Sequence, residues 1–232
     1  MNERIKRYYR DRVDNTVVDD FLWQVGKTVN GQVVDDKHID IILSNITDAL
    51  NLNITDVVLD VGCANGFLTK KISQMVSSIT GVELTTELYN IAREYNSAKN
   101  ITYIKDEILS FDDKDNKRKY TKIYLYEVVQ HFDYIQIDKL FEKLNNLTVD
   151  GGIIFIGGIL DAQKKWSYFN TEERKDMYFD SLTSGDELLG CWYEQEFFSY
   201  MAKRFNMKVV CATQNPELYT SHYRFDCVLQ KR

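Results

Sequence analysis

Val57-Val58-Leu59-Asp60-Val61-Gly62-Cys63-Ala64-Asn65-Gly66-Phe67 is the stretch whose reading decides the fold. Its first five residues are apolar apart from Asp60, and three are valine. Such a run reads as a strand buried on both faces of a parallel sheet. Gly62 and Gly66 then open a turn, where the lack of a Cβ lets backbone approach a ligand closely. From Phe67 the period changes: Leu68, Ile72 and Met75 fall on one helical face. Strand, glycine turn and helix in this order form the first half of a βαβ unit.

Working outward, the same alternation continues. Residues 78–82 read as a second strand and 86–97 as a helix burying Leu88, Ile91 and Ala92. Residues 101–105 and 122–126 read as strands three and four, followed by a helix near 134–147. Gly151-Gly152 turns into strand five at 153–156. Residues 193–205 form an amphipathic helix, and 208–212 and 223–230 make the last two strands. The loop between those two is too short for a helical crossover, so they pair antiparallel. About fifty residues with helical patterns precede the first strand, including Ile41, Ile42, Ile46 and Leu50.

The chain has 232 residues, of which 44% are hydrophobic, enough for one well-buried core. It is read as a single domain, 1–232, with an N-terminal helical cap (1–55) and a lid-like insertion (158–193). A net charge of -6 argues against a protein that works by gripping nucleic-acid phosphates. Met1 to Arg7 lacks the apolar core of a signal peptide, and no stretch is apolar enough for a membrane span. With four scattered cysteines, this leads to the expectation of a cytoplasmic chain with reduced thiols. The scattered histidines and cysteines form no metal pattern.

A dinucleotide fingerprint wants glycines at 62, 64 and 67, where a helix N-terminus meets pyrophosphate. This chain has Gly62, Ala64 and Phe67, with Gly66 between, a looser turn suited to a cofactor without phosphates. Glu83 follows at the interval expected for the end of a second strand, where a carboxylate can accept from both ribose hydroxyls. Asp60 to Gly66 resembles the D-x-G-x-G-x-G motif of class I S-adenosylmethionine-dependent methyltransferases, with Ala64 in the central glycine place. The resemblance runs from about Asp56 to the end of the chain. It implies a Rossmann-like, doubly wound seven-stranded α/β sheet in the order 3-2-1-4-5-7-6, its last strand antiparallel. It also implies S-adenosylmethionine as cofactor. The matching positions are Asp60, Gly62, Cys63, Ala64, Asn65, Gly66, Phe67, Glu83, Leu84, Asp106, Glu107 and Tyr126. Residues such as Cys63 have a plainer reading as packing, and Asp106-Glu107 as a solvated pair.

Methyl transfer from a sulfonium is an in-line displacement, so the protein mainly aligns the acceptor and excludes water. An alcohol acceptor also needs a base, and histidine is the natural one near neutrality. His131, after strand four, is the first candidate, as in similar small-molecule and sugar methyltransferases. Glu127 could face the acceptor or the cofactor, and Asp161 could orient His131. Trp166, Trp192, Tyr193 and His222 are candidates for acceptor binding, with core packing as the plainer reading of the rings. Lys27, Arg4, Lys6, Arg7 and Arg10 belong to the capping region, where a cation could meet a carboxylate or phosphate. The carboxyl half, including Gly157 to Asp161 and Ser221 to Asp226, resembles methyltransferases of bacterial surface-glycan pathways. That implies O-methylation of a sugar, a sugar nucleotide or a sugar-linked phosphate group in polysaccharide biosynthesis, with no nucleic-acid partner. The rivals are a NAD(P)-dependent Rossmann oxidoreductase and a non-catalytic S-adenosylmethionine-binding module. Oligomeric state is left open.

Overall fold

The computed structural model describes residues 3–112, 119–185 and 189–232. The amino-terminal segment holds α1 (Glu3–Asp14), α2 (Phe21–Gln24), the two-residue strands β1 (Thr28–Val29) and β2 (Gln32–Val33), and α3 (Asp36–Leu50). The alternating part follows with β3 (Val57–Val61), α4 (Phe67–Ser73), β4 (Ser78–Glu83), α5 (Thr86–Tyr95), β5 (Ile101–Lys105) and β6 (Tyr120–Tyr126). A one-turn helix at Val129–His131 leads into α6 (Tyr134–Leu147) and the long strand β7 (Thr148–Leu160). A second one-turn helix (Ala162–Lys164), α7 (Lys165–Tyr168) and α8 (Glu172–Ser184) make the insertion. Helix α9 (Gln195–Arg204) and strands β8 (Met207–Thr213) and β9 (Arg224–Lys231) complete the chain.

The seven-stranded sheet has the order β5-β4-β3-β6-β7-β9-β8, which is the expected order. Its first five strands pair parallel, and β9 runs antiparallel to both β7 and β8. The sheet is therefore Rossmann-like, in the order that the resemblance implied. Side chains alternate across β3: Leu59 and Val61 join a core with α6 and α9, while Val58 joins one with α3 and α4. On α3, Ile39, Ile42, Ile46 and Leu50 are all buried. Burying each such side chain is worth roughly 1.5–3 kcal/mol, which fastens the amino-terminal cap to the sheet.

Two expectations change. Strand five does not stop at residue 156 but continues to Leu160, paired to β9 through a bulge between Ile156 and Ile159. Cys211 and Cys227, register partners on β8 and β9, form a disulfide, whereas reduced thiols were expected. Strand register brings together two cysteines 16 residues apart, a proximity that spacing alone did not reveal. Cys63 and Cys191 are outside the disulfide. No helix among the described residues is long and apolar enough to cross a membrane.

Candidate functional site

The site begins where β3 ends. Gly62 (φ +73°), Ala64 (φ +50°) and Gly66 (φ +75°) all adopt the left-handed conformation. A Cβ on Gly66 would lie 2.3 Å from Tyr103 Oη, so only glycine fits there without displacing a neighbour. Ala64 occupies the central glycine position and accepts the left-handed strain that a β-carbon brings. The turn is held by backbone bonds: Gly62 N–H and Cys63 N–H donate to Val82 O at 2.8 and 3.1 Å. Asn65 ties it to the amino-terminal cap, donating to Phe21 O (2.8 Å) and Gln24 Oε1 (2.9 Å).

Glu83, at the end of β4, is 6% exposed. One carboxylate oxygen accepts from Ala64 N–H at 2.9 Å and the other from Thr85 N–H at 2.6 Å. Burial pushes this carboxyl up, and the backbone donors oppose it. Asp60 is also buried, but its carboxylate accepts from the Thr69 hydroxyl (2.6 Å) and from Tyr124 Oη. Burial raises it to about 7 against those two bonds. Its polar contacts brace the turn and the neighbouring strand. Asp106 N–H donates to Glu83 O, linking the end of β5 to the same corner.

These residues line one elongated cavity. Its walls include Asp60, Gly62, Cys63, Ala64, Asn65, Phe67, Glu83, Leu84, Asp106, Glu107 and Tyr126. Of the positions implied by the cofactor motif, only Gly66 is not in the wall; it shapes the turn from behind. On the β6 side, opposite β4 and Glu83, the wall includes Lys27, Tyr126, Glu127 and His131, which make up the far end. Burial pushes the Cys63 thiol well up, so it is a packing thiol.

At that far end, Glu127 takes a left-handed φ of +58°, with its N–H on Gly157 O at 2.8 Å. Gly158 makes room for it, since a Cβ there would lie 2.5 Å from Glu127 Cγ. Glu127 Oε2 pairs with Lys27 Nζ at 2.7 Å, and the same ammonium lies 4.6 Å from the Tyr126 ring centroid. Burial alone would push the Glu127 carboxyl up, but Lys27 and Arg224 outweigh it and hold it below its usual value. His131 rides on the turn Val129–His131, fixed on its C-terminal side by the Asp133/Gln136 capping box of α6. Burial, then Arg224, pull its ring down to about 4. Neither ring nitrogen has a hydrogen-bond partner among the described residues.

The remaining expected residues lie elsewhere. The Asp161 carboxylate caps the turn after β7, accepting from Gln163 N–H at 3.0 Å, and is not in the cavity wall. Trp166, Trp192, Tyr193 and His222 are not in the wall either. Trp192 packs with Leu160, Phe169 and Tyr223, Tyr193 Oη donates to Phe132 O, and Trp166 is 52% exposed. The reason is strand extension: because β7 runs on to Leu160, Tyr193 bridges beside Asp161 and zips the insertion to the sheet end. Residues 158–185 and 189–193 therefore contribute nothing to the cavity wall, although Cys191 N–H donates to Gln130 O behind the His131 turn. The 186–188 part of the expected lid, and the Arg4 side chain, lie outside the described residues. The amino-terminal cap reaches the cavity instead, through Tyr9, Leu22, Val25, Lys27 and Ile39. Tyr9 had no local signal, being one tyrosine in a charged helix; its ring meets that of His131 edge-on at 6.3 Å.

Residues 58–152 match the family model described as a methyltransferase domain. They hold the glycine turn, Glu83, Asp106, Glu127 and His131. The chain is 30% identical over 104 residues to the ribosomal RNA small subunit methyltransferase A of Rippkaea orientalis, covering 44% of this chain and 38% of that one. It thus spans about two fifths of that relative's length. The fold is similar along nearly the whole chain to magnesium protoporphyrin IX methyltransferase from Synechocystis PCC 6803, solved with S-adenosylhomocysteine (TM-score 0.67, 10% identity, 99% of each chain). It is also similar to an N-methyltransferase from Bradyrhizobium japonicum WM9 in complex with the same product (TM-score 0.64, 12% identity, 97% of each chain). Both neighbours hold S-adenosylhomocysteine, the demethylated form of the cofactor that the glycine turn of this chain implies. The residues of this cavity fit it: a buried ribose-class acid at Glu83, a glycine cradle without the third dinucleotide glycine, and carboxylates at Asp106 and Glu107.

Proposed function

We propose that the protein is an S-adenosylmethionine-dependent methyltransferase acting on a hydroxyl of a small polar acceptor, a sugar or nucleotide-linked sugar of surface polysaccharide synthesis. The observation that carries this reading is the division of one cavity between a cofactor-like end at Glu83 and a polar end at Glu127 and His131. When bound, S-adenosylmethionine supplies an activated methyl group on a sulfonium. Glu83, Leu84, Asp106 and the turn from Gly62 to Phe67 would hold its adenosine part. The amino-terminal residues Tyr9, Leu22, Val25 and Ile39 exclude water from the cavity. His131 is neutral above about pH 4, so a ring nitrogen can take the proton of an acceptor hydroxyl. Glu127 is ionised and held by Lys27, which leaves it to orient the acceptor.

A nucleic-acid acceptor is the second reading, favoured by the ribosomal RNA methyltransferase that matches over 104 residues. The two are separated by measuring S-adenosylhomocysteine release with sugar nucleotides, free sugars and a ribosomal RNA transcript as acceptors. Turnover on a sugar-containing acceptor supports the first reading. Turnover on RNA alone overturns it, and turnover on none, with intact cofactor binding, leaves a cofactor-binding module.

A further inference from the structure

Buried polar atoms are nearly always hydrogen-bonded, so a cluster of exceptions marks a place where a ligand completes the structure. Among the described residues, ten buried side-chain nitrogen and oxygen atoms have no hydrogen-bond partner, and five share one corner. They are Tyr126 Oη, Glu127 Oε1, both nitrogens of His131, and Arg224 Nε. The corner is continuous. Tyr126 ends β6 and Glu127 follows it, Glu127 Cγ lies against Gly158, and the Gly158 carbonyl accepts from Arg224 Nη1.

Arg224 is the decisive member. It is 4% exposed, and its hydrogen-bond partners, Gly158 O and Gln130 Oε1, are uncharged oxygens. Glu127 stabilises the Arg224 charge through space, but the contacts of the nearby anions go elsewhere. Glu127 pairs with Lys27 at 2.7 Å, and Asp226 accepts from Gly158 N–H and Gln214 Nε2, each at 2.8 Å. No carboxylate touches the guanidinium, so a contacting oxyanion would make charge-assisted bonds that the fold leaves unmade. The free Nε–H of Arg224 is a donor in the planar fork that matches carboxylate and phosphate oxygens. Glu127 Oε1, in the same corner, also needs a donor.

Building on the proposed function, we propose that Arg224, with Lys27 and Glu127, anchors an acidic acceptor. The cations take a carboxylate or phosphate oxygen, and the free Glu127 oxygen takes a neighbouring hydroxyl. Lys27, Glu127 and His131 line the cavity, while Arg224 lies behind Glu127 rather than in the wall. An acid group reaching it therefore passes Glu127 and is held close to the hydroxyl to be methylated. Recognition of the charge, rather than of a sugar ring by tryptophans, then selects the substrate.

The test is calorimetry on the full chain saturated with S-adenosylhomocysteine, at fixed ionic strength, with glucuronate, glucose 1-phosphate and glucose as probes. Titration of S-adenosylhomocysteine alone comes first, and failure there sinks the cofactor reading itself. With that binding intact, either acid should bind at least about tenfold tighter than glucose, as a charge-assisted bond is strong enough to give. The better of the two acids identifies the oxyanion as carboxylate or phosphate. Arg224→Leu should abolish the preference while S-adenosylhomocysteine affinity changes less than about twofold. If Arg224→Leu does not fold, Arg224→Lys, which keeps charge but removes the fork, should lose most of the preference. Equal binding of acids and glucose, or an acid preference unchanged in the foldable arginine variant, overturns the proposal. So does failure of both acids to bind.

Discussion

The two ends of the cavity are built on opposite plans. At the Glu83 end, the carboxylate is already satisfied by backbone, with Ala64 N–H and Thr85 N–H on its two oxygens. Thr85 Oγ1 is the one buried side-chain polar atom there without a hydrogen-bond partner among the described residues. At the His131 end, Tyr126, Glu127, His131 and Arg224 keep polar atoms without partners. The first end is preorganised from residues close to one another in sequence. The second is brought together from β6, the turn after it, the amino-terminal cap and β9. A preorganised end suits a ligand common to many proteins. An end left incomplete is where a particular acceptor supplies the missing bonds, and where specificity resides.

The comparison breaks most sharply at His131. His131→Ala should cut turnover by roughly 10²–10⁴-fold while cofactor affinity stays unchanged, measured by single-turnover rates beside calorimetry. Full activity in that variant would mean that the polar end holds no base. At the other end, Gly66→Val should destabilise the chain by about 2–5 kcal/mol in urea unfolding, from left-handed strain plus the collision with Tyr103. A neutral outcome would show that the turn is not rigid. Glu83→Ala should weaken S-adenosylhomocysteine binding by about tenfold or more, since it removes a charged hydrogen-bond acceptor. Unchanged affinity would take Glu83 out of the site.

Smaller effects sharpen the contrast. The His131 ring titrates at about 4 in the folded chain against 6.5 ordinarily. The unfolded chain therefore binds that proton more tightly, and the ring's contribution to stability is complete above 6.5 and lost as pH falls toward 4. Turnover limited by the neutral ring should hold through pH 6 and fall only near 4. A fall centred near 6.5 would place His131 in a more solvated setting than the structure does. Finally, Trp166→Ala should leave turnover and cofactor affinity within about twofold and stability within about 0.5 kcal/mol, because the ring sits on the exposed side of the insertion. A large rise in acceptor KM would restore the insertion as a lid.

Sequence by itself showed the strands, the helices between them and the glycine turn, and the family resemblance carried by that turn implied the sheet order and a cofactor end at Glu83. The signals are local: continuous apolar runs, a helical period near 3.6, and glycines in a turn. Sequence also pointed to Glu127 and His131, because both lie within a few residues of a strand end. The tertiary structure decided everything that depends on distant partners. It brought Tyr9 and Lys27 to the cavity, set Arg224 behind Glu127, and joined Cys211 to Cys227 through strand register. It moved Asp161, Trp192 and Tyr193 away from the cavity by running β7 on to Leu160. The physical reason is that burial and partnership of a side chain depend on what the fold packs against it. A tryptophan in a core and one over a substrate have the same local pattern, and so do a solvated arginine and a buried one.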